Sequence, residues 1–254
     1  ASSGIGEAIA REYARRGQPL VLTARRRDRL ERLGAELASQ VPVTVLPADL
    51  ADPGAPARLV EEIHARGLRV GTLVNNAGYG VPGRYLSVDW ATHAAFLQVM
   101  VTAVAELTHR CLPDMEAAGR GRVLNVASMA GLIPGSAGHT LYGAVKSWLI
   151  RFSESLALEG APRGIHVTAL CPGFTYSEFH DVTGTRAQVS KLSSAMWLQA
   201  DDVARQGVDA VEAGRVLCIP GWRYRLIRWL AKVLPDGLAR RIVGARSKDF
   251  RDDG

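Results

Sequence analysis

Apolar runs and amphipathic stretches alternate from one end of this chain to the other. Leu20, Val21, Leu22, Thr23 and Ala24 predict a buried strand over residues 20–24, and Leu30, Leu33 and Leu37 recur behind them at helical spacing, predicting a helix over 28–38. The alternation continues with strands predicted over 43–46, 72–75, 122–126, 165–170 and 216–219 and helices over 57–65, 93–116, 142–158 and 201–213. A further helix is predicted over 7–16, opening directly from Ala1-Ser2-Ser3-Gly4-Ile5-Gly6. Strands apolar on both faces belong in a sheet covered on both sides. The expected fold class is therefore α/β, a doubly wound parallel sheet in three layers α/β/α. A glycine-rich turn of this type ordinarily follows a buried strand; none precedes it here, so the first strand of the sheet is expected to be absent from the chain. Residues 174–194 are polar and rich in turn formers, which suggests a loop or lid. The expected organisation is one domain over 1–221 and an amphipathic helical extension over 222–254.

Composition narrows the function classes. A chain of 254 residues with 47% hydrophobic positions suits one large globular domain. Cys111, Cys171 and Cys218 lie far apart without a CxxC pair, which predicts free thiols in a reducing, cytoplasmic setting. The histidines form no close pair, so no metal site is expected. A net charge of +6 raises nucleic acid or an anionic surface as partners. Much of the basic charge, however, is interleaved with acids on predicted helices, as in Arg25 to Arg29 around Asp28, so no nucleic-acid partner is expected. No apolar run reaches the roughly 20 residues of a membrane-spanning helix, and no basic-then-apolar leader opens the chain.

Four groups of residues carry chemistry. In the opening segment, Gly4 and Gly6 let a backbone approach a pyrophosphate, Ile5 lies between them in the turn, and Ser2 and Ser3 add hydroxyls. A site for an unphosphorylated adenosine ribose usually places an acid at the end of the next strand; here stand Arg25 and Arg26, whose guanidinium groups suit a 2′-phosphate. Asn75-Asn76-Ala77-Gly78 ends another strand, where open α/β sheets bind ligands. Ser128 follows the strand ending at Val126, and Tyr142 and Lys146 share one helix face at i, i+4 spacing. An ammonium beside a phenol favours the phenolate and brings proton transfer nearer neutral pH, while Ser128 can hydrogen-bond an oxygen that gains charge.

Taken in order, these motifs, with Asp49-Leu50, Asn125 to Ser128 and Pro172-Gly173, resemble the short-chain dehydrogenase/reductase family over nearly the whole chain. The resemblance implies a Rossmann-like sheet of about seven strands and an oxidoreductase using NADP(H), with NAD(H) the alternative cofactor. It further implies Tyr142 as general acid/base, Lys146 lowering its pKa and holding the nicotinamide ribose, and Ser128 orienting a carbonyl or alcohol substrate. Asp49 and Leu50 would line the adenine pocket, Asn76, Ala77 and Gly78 the ribose, and Pro172, Gly173, Thr175 and Ser177 the nicotinamide and phosphates. Two departures stand out. The 128–142 loop is about one residue longer than usual, and Met100 occupies the place of an Asn that helps join the active-site Lys to solvent. A thioether accepts hydrogen bonds weakly, so a nucleotide-binding protein with little catalysis is the competing reading. Epimerisation or dehydration on the same scaffold is a third.

Phe174, Phe179, Met196, Trp197 and Leu198 suggest a hydrophobic substrate, or else a core. Beyond Gly221, aromatic and aliphatic residues interleave with Arg and Lys from Trp222 to Leu234. Such a helix can cap the pocket or a subunit interface, lie on an anionic membrane surface, or pack on the core. A homodimer or homotetramer through the helices over 93–116 and 142–158 is what the resemblance implies.

Overall fold

The computed structural model describes residues 1–138, 140–177 and 193–235, together with 237, 238, 241 and 244. Its strands are β1 (Leu20–Leu22), β2 (Val43–Val45), β3 (Thr72–Asn75), β4 (Gly121–Val126), β5 (Ile165–Leu170) and β6 (Leu217–Cys218), and every pairing among them is parallel. β1 pairs with β2, while β3, β4, β5 and β6 form a second group in that order. Among the described residues no ladder joins β1 to β3, and a cavity passes between them. The principal helices are α1 (Gly4–Arg15), α2 (Arg27–Leu37), α3 (Ala55–Ala65), α4 (Trp90–Leu97), α5 (Ala103–Ala117), α6 (Thr140–Gly160), α7 (Ala200–Glu212) and α8 (Trp222–Val233).

Alternation along β4 and β5 sorts the core onto two faces. Leu124 and Leu170 pack with Ile9 and Tyr13 of α1 and Val203 and Val208 of α7. Val123 and Val167 face the other way, against Ile63 of α3 and Leu107 and Met115 of α5. A third cluster joins Leu149 and Ile150 of α6 to Ala169, Cys171 and Tyr224. The three thiols are free and buried, and each sits in a different one of these clusters.

The long central helix differs from expectation in two ways. Residues Trp90–Ala117 form a helix long and apolar enough, by length and composition, to cross a membrane, its most apolar 18-residue stretch having a mean hydropathy of 1.2, although no such run was expected. This helix is one layer of the domain, where Phe96, Ala103 and Met115 are buried. It is also not uniform. Gln98–Thr102 form a π turn between α4 and α5, and Met100, 2% exposed, sits within it. Such turns insert a residue into a helix and recur at functional sites.

Candidate active site

The carboxyl ends of β1, β3, β4 and β5 open onto one cavity of about 1770 Å³, which continues into the space between β1 and β3. Every candidate catalytic and cofactor residue borders this cavity, Ala77 and Gly78 beside Asn76 among them, whereas Met100 does not line it.

One end is suited to an anion. Ser3 precedes α1 without a side-chain cap on its first turn, which leaves helix N–H groups available to a ligand. The Arg26 guanidinium bonds the Ser3 hydroxyl at 2.9 Å and the Ser2 hydroxyl at 3.2 Å, drawing its charge onto the turn. Arg25 is exposed beside it. Gly4 has φ +57 and lies under Ser177, and a Cβ on Gly6 would meet the Asn76 amide at 2.3 Å. Asp49 accepts from the Ala51 N–H at 3.0 Å, which shapes the turn carrying Leu50.

The two adjacent asparagines part company. Asn75 is buried and turned into the core, where its amide donates to Asn125 at 2.8 Å and to Thr108 at 3.2 Å. Asn125 in turn donates to Ser153 at 2.8 Å. Of the two amides that end this strand, only that of Asn76 is left for a ligand, because successive residues at a strand end face opposite sides.

At the centre, Ser128 ends the extended segment beyond β4 and caps a 3₁₀ turn, Met129–Gly131, by accepting from the Ala130 N–H. The turn is pinned to α6. Ser147 donates to the Gly131 carbonyl at 2.8 Å, and a Cβ on Gly131 would meet the Lys146 and Ser147 backbone at 2.6–2.7 Å. Gly131, which motif reading passes over, thus sets how closely Ser128 approaches α6. The Ser128 and Tyr142 hydroxyls hydrogen-bond. Lys146 is buried, its Nζ donates to the Val126 carbonyl at 2.7 Å, and it lies 5.7 Å from the Tyr142 ring centroid.

Electrostatics here depart from the simple expectation. Burial pushes the Tyr142 phenol up to about 12, partly offset by its bond to Ser128. Burial also drops the Lys146 ammonium to about 8. Desolvation outweighs any help from Lys146, whose proton is directed at Val126. In the chain alone, burial keeps the phenol neutral and makes the ammonium a stronger acid than a free lysine.

The far wall joins the Pro172–Ser177 segment to α8. Tyr224 is buried, its hydroxyl accepts from the Phe174 N–H at 2.9 Å and donates to the Met196 carbonyl at 2.5 Å, and Gly173 lies flat against its ring. A parallel bridge between Thr175 and Leu198 closes the same base. The Thr175 hydroxyl is turned to the Gly173 carbonyl. Phe174 and Met196 line the cavity with Ile133 and Ile227. Leu198 instead packs in the core, and Trp197 stacks on Tyr176. Phe179 lies outside the described residues. Tyr224 and Ile227 were missed as site residues because helical spacing alone does not say which face of α8 turns inward.

Comparison with known proteins agrees with this geometry. The family model described as short chain dehydrogenase matches residues 1–187. A sulfoacetaldehyde reductase from Chromohalobacter salexigens is 35% identical over 213 residues, spanning 81% of this chain and 83% of that protein. A short-chain dehydrogenase from Sphingobium yanoikuyae, solved in complex with NADPH, is 31% identical with a TM-score of 0.82, covering 95% of this chain and 91% of that one. The bulky-bulky ketone specific alcohol dehydrogenase from Comamonas testosteroni is 26% identical with a TM-score of 0.76, and 95% of each chain is covered. A parallel α/β sheet, a cavity at its strand ends and a family match over most of its length make this chain a member of the short-chain dehydrogenase/reductase family of oxidoreductases.

Proposed function

We propose that this protein interconverts a carbonyl and an alcohol on an apolar substrate with NADP(H), and that Tyr142 moves the proton. The observation that carries the reading is the Ser128–Tyr142 hydrogen bond beside buried Lys146, in a cavity whose other end holds Arg26 and an uncapped glycine turn. The residues fit a phosphorylated dinucleotide. First-turn N–H groups of α1 with Ser2, Ser3 and Ile5 would hold its pyrophosphate, and Arg25 and Arg26 a 2′-phosphate. Asp49 and Leu50 would border the adenine, Asn76, Ala77 and Gly78 the ribose, and Pro172, Gly173, Thr175 and Ser177 the nicotinamide end. When bound, the nicotinamide supplies or accepts the hydride. Ser128 would hold the substrate oxygen, and Tyr142 would give its proton to that oxygen as an alcohol forms. Apolar walls at Ile133, Phe174, Met196 and Ile227 support a hydrophobic substrate, as does the bulky-ketone enzyme among the structural neighbours. The NADPH-bound neighbour supports the cofactor preference. Association into a dimer or tetramer through α4–α5 and α6 belongs to the same proposal.

The test follows nicotinamide absorbance with a panel of bulky ketones, NADPH against NADH. Tyr142→Phe is expected to lower kcat by at least about 100-fold while nucleotide binding persists. Wild-type turnover in that variant would remove Tyr142 from its role.

Met100 favours a second reading, a nucleotide-binding protein with little catalysis. Its sulfur lies 2.8 Å from where a Gly78 Cβ would stand, inside the π turn, so a weak acceptor replaces an amide in the layer packed against Tyr142. Nucleotide binding without turnover on any ketone, restored by Met100→Asn, is the result expected under this second reading.

A further inference from the structure

The C-terminal helix α8 carries two apolar faces, of which the domain uses one. Tyr224 is 4% exposed, and Ile227 and Ala231 follow it on the side that borders the cavity. On the opposite side Trp222 is 60% exposed, Leu226 46%, Trp229 58% and Val233 56%. At about 100° per residue these four fall within an arc of roughly 60° centred opposite Tyr224. Arg225 and Lys232 flank that arc on one side and Arg223 on the other. From Trp222 to Val233 there are four basic residues and no acidic one. Arg223 lies over the Trp222 ring at 4.8 Å and donates to the Ala195 carbonyl, which holds the first turn in place.

We propose that this outer face of α8 docks the protein on an anionic phospholipid surface. Core packing does not account for the face, because both tryptophans stand in solvent while Tyr224 and Ile227, on the opposite side, pack the helix inward. A second copy of the same helix would bring the flanking cations Arg223, Arg225 and Lys232 against their own counterparts, with no acidic residue on the helix between them, and like charges facing one another oppose association. An apolar strip with tryptophans, bordered by Arg and Lys, matches the boundary of a bilayer, where rings sit at headgroup depth and cations meet phosphate. The arrangement has a consequence for the cavity. Leu230 both borders the cavity and is 40% exposed, so α8 stands between the cavity and the docked surface. A lipid-dissolved substrate would then enter beside Leu230. This route rests on the oxidoreductase reading; docking itself does not.

The experiment is co-sedimentation of the full chain with vesicles of phosphatidylcholine alone or of phosphatidylcholine mixed with phosphatidylglycerol, at physiological salt. Two variants accompany it, Trp222→Ser with Trp229→Ser, and Arg225→Glu with Lys232→Glu. Thermal unfolding and NADPH binding serve as checks that each is folded. Wild type is expected to pellet with the anionic vesicles with a blue shift of tryptophan emission, and each variant to bind at least tenfold more weakly. Absence of wild-type binding, equal binding to neutral and anionic vesicles, or variants that bind like wild type would overturn the proposal. A tryptophan variant that binds no vesicle but dissociates a wild-type oligomer in light scattering would assign the face to a second copy and also overturn it. Because sedimentation needs no turnover, an inactive enzyme that binds vesicles contradicts the catalytic reading alone.

Discussion

Replacing Tyr224 by Phe takes away one oxygen atom and keeps the ring against which Gly173 packs. That oxygen accepts from the Phe174 N–H and donates to the Met196 carbonyl, so it ties together two residues that wall the cavity. Loss of a partner by a buried polar group costs about 1–3 kcal/mol. With two groups affected and Tyr224 almost fully buried, we expect a destabilisation of about 2–4 kcal/mol. For a chain of this size that corresponds to a fall in Tm of roughly 4–16 °C. Urea denaturation is the direct assay: the midpoint should drop while the slope m stays constant, because the surface exposed on unfolding is the same. Steady-state kinetics supply the second readout. Ser128, Tyr142 and Lys146 stand on β4's exit and α6, away from the missing hydroxyl, so kcat should change by less than about threefold while KM rises by more. A variant with the wild-type midpoint and the wild-type KM would refute the reasoning, since the two hydrogen bonds would then fasten nothing.

The remaining predictions concern the cavity floor. Asn75→Ala should cost about 2–4 kcal/mol, because it opens a buried network shared by β3, β4, α5 and α6. Asn76→Ala should leave stability within about 0.5 kcal/mol and weaken nucleotide binding, a contrast readable from paired melting curves with titrations of NADPH. For Lys146, folding lowers the pKa from 10.5 to about 8. The unfolded chain therefore binds the extra proton between those values, and wild-type stability gains as pH rises through that window. Measured against Lys146→Met, that gain should reach at most about 3.5 kcal/mol and be absent below pH 8; a difference between the two proteins that stays flat from pH 7 to 10 would contradict the burial argument. Arg26→Ala should raise KM for NADPH by about tenfold or more and leave KM for NADH nearly unchanged, and equal effects on both would point away from a 2′-phosphate role.

Much of this architecture was legible because each element announces itself locally. The apolar run at 165–170 could only be a buried strand, and β5 spans those residues. Leu30, Leu33 and Leu37 do line the buried face of α2. What could not be read depends on direction. The π turn at Gln98–Thr102 lies in a stretch so apolar that an inserted residue leaves the helical pattern looking intact. Asn75 and Asn76 are identical in type, and only the strand's end decides which one turns inward. On α8 both the Tyr224 face and the Trp222 face are apolar, so periodicity showed a helix without saying which side the domain would take. At the site itself, the order of Ser128, Tyr142 and Lys146 was visible. The clasp at Tyr224 and the pinning of Gly131 were not, because each depends on contacts between segments distant in sequence.

The placement of the three thiols gives the protein a built-in set of reporters. Cys111 lies between α3 and α5, Cys171 beneath α6 and α8, and Cys218 beside α1 and α7, one in each of the clusters that hold the sheet's two faces and the substrate wall. Burial pushes Cys111 and Cys171 up to about 12 and Cys218 to about 11, so none offers a thiolate while its surroundings stay closed. An alkylating reagent can reach each sulfur only when its own cluster opens. Mass-resolved labelling of the unaltered chain would then time the breathing of three regions separately, and would tell whether the wall beside α8 loosens before the sheet does.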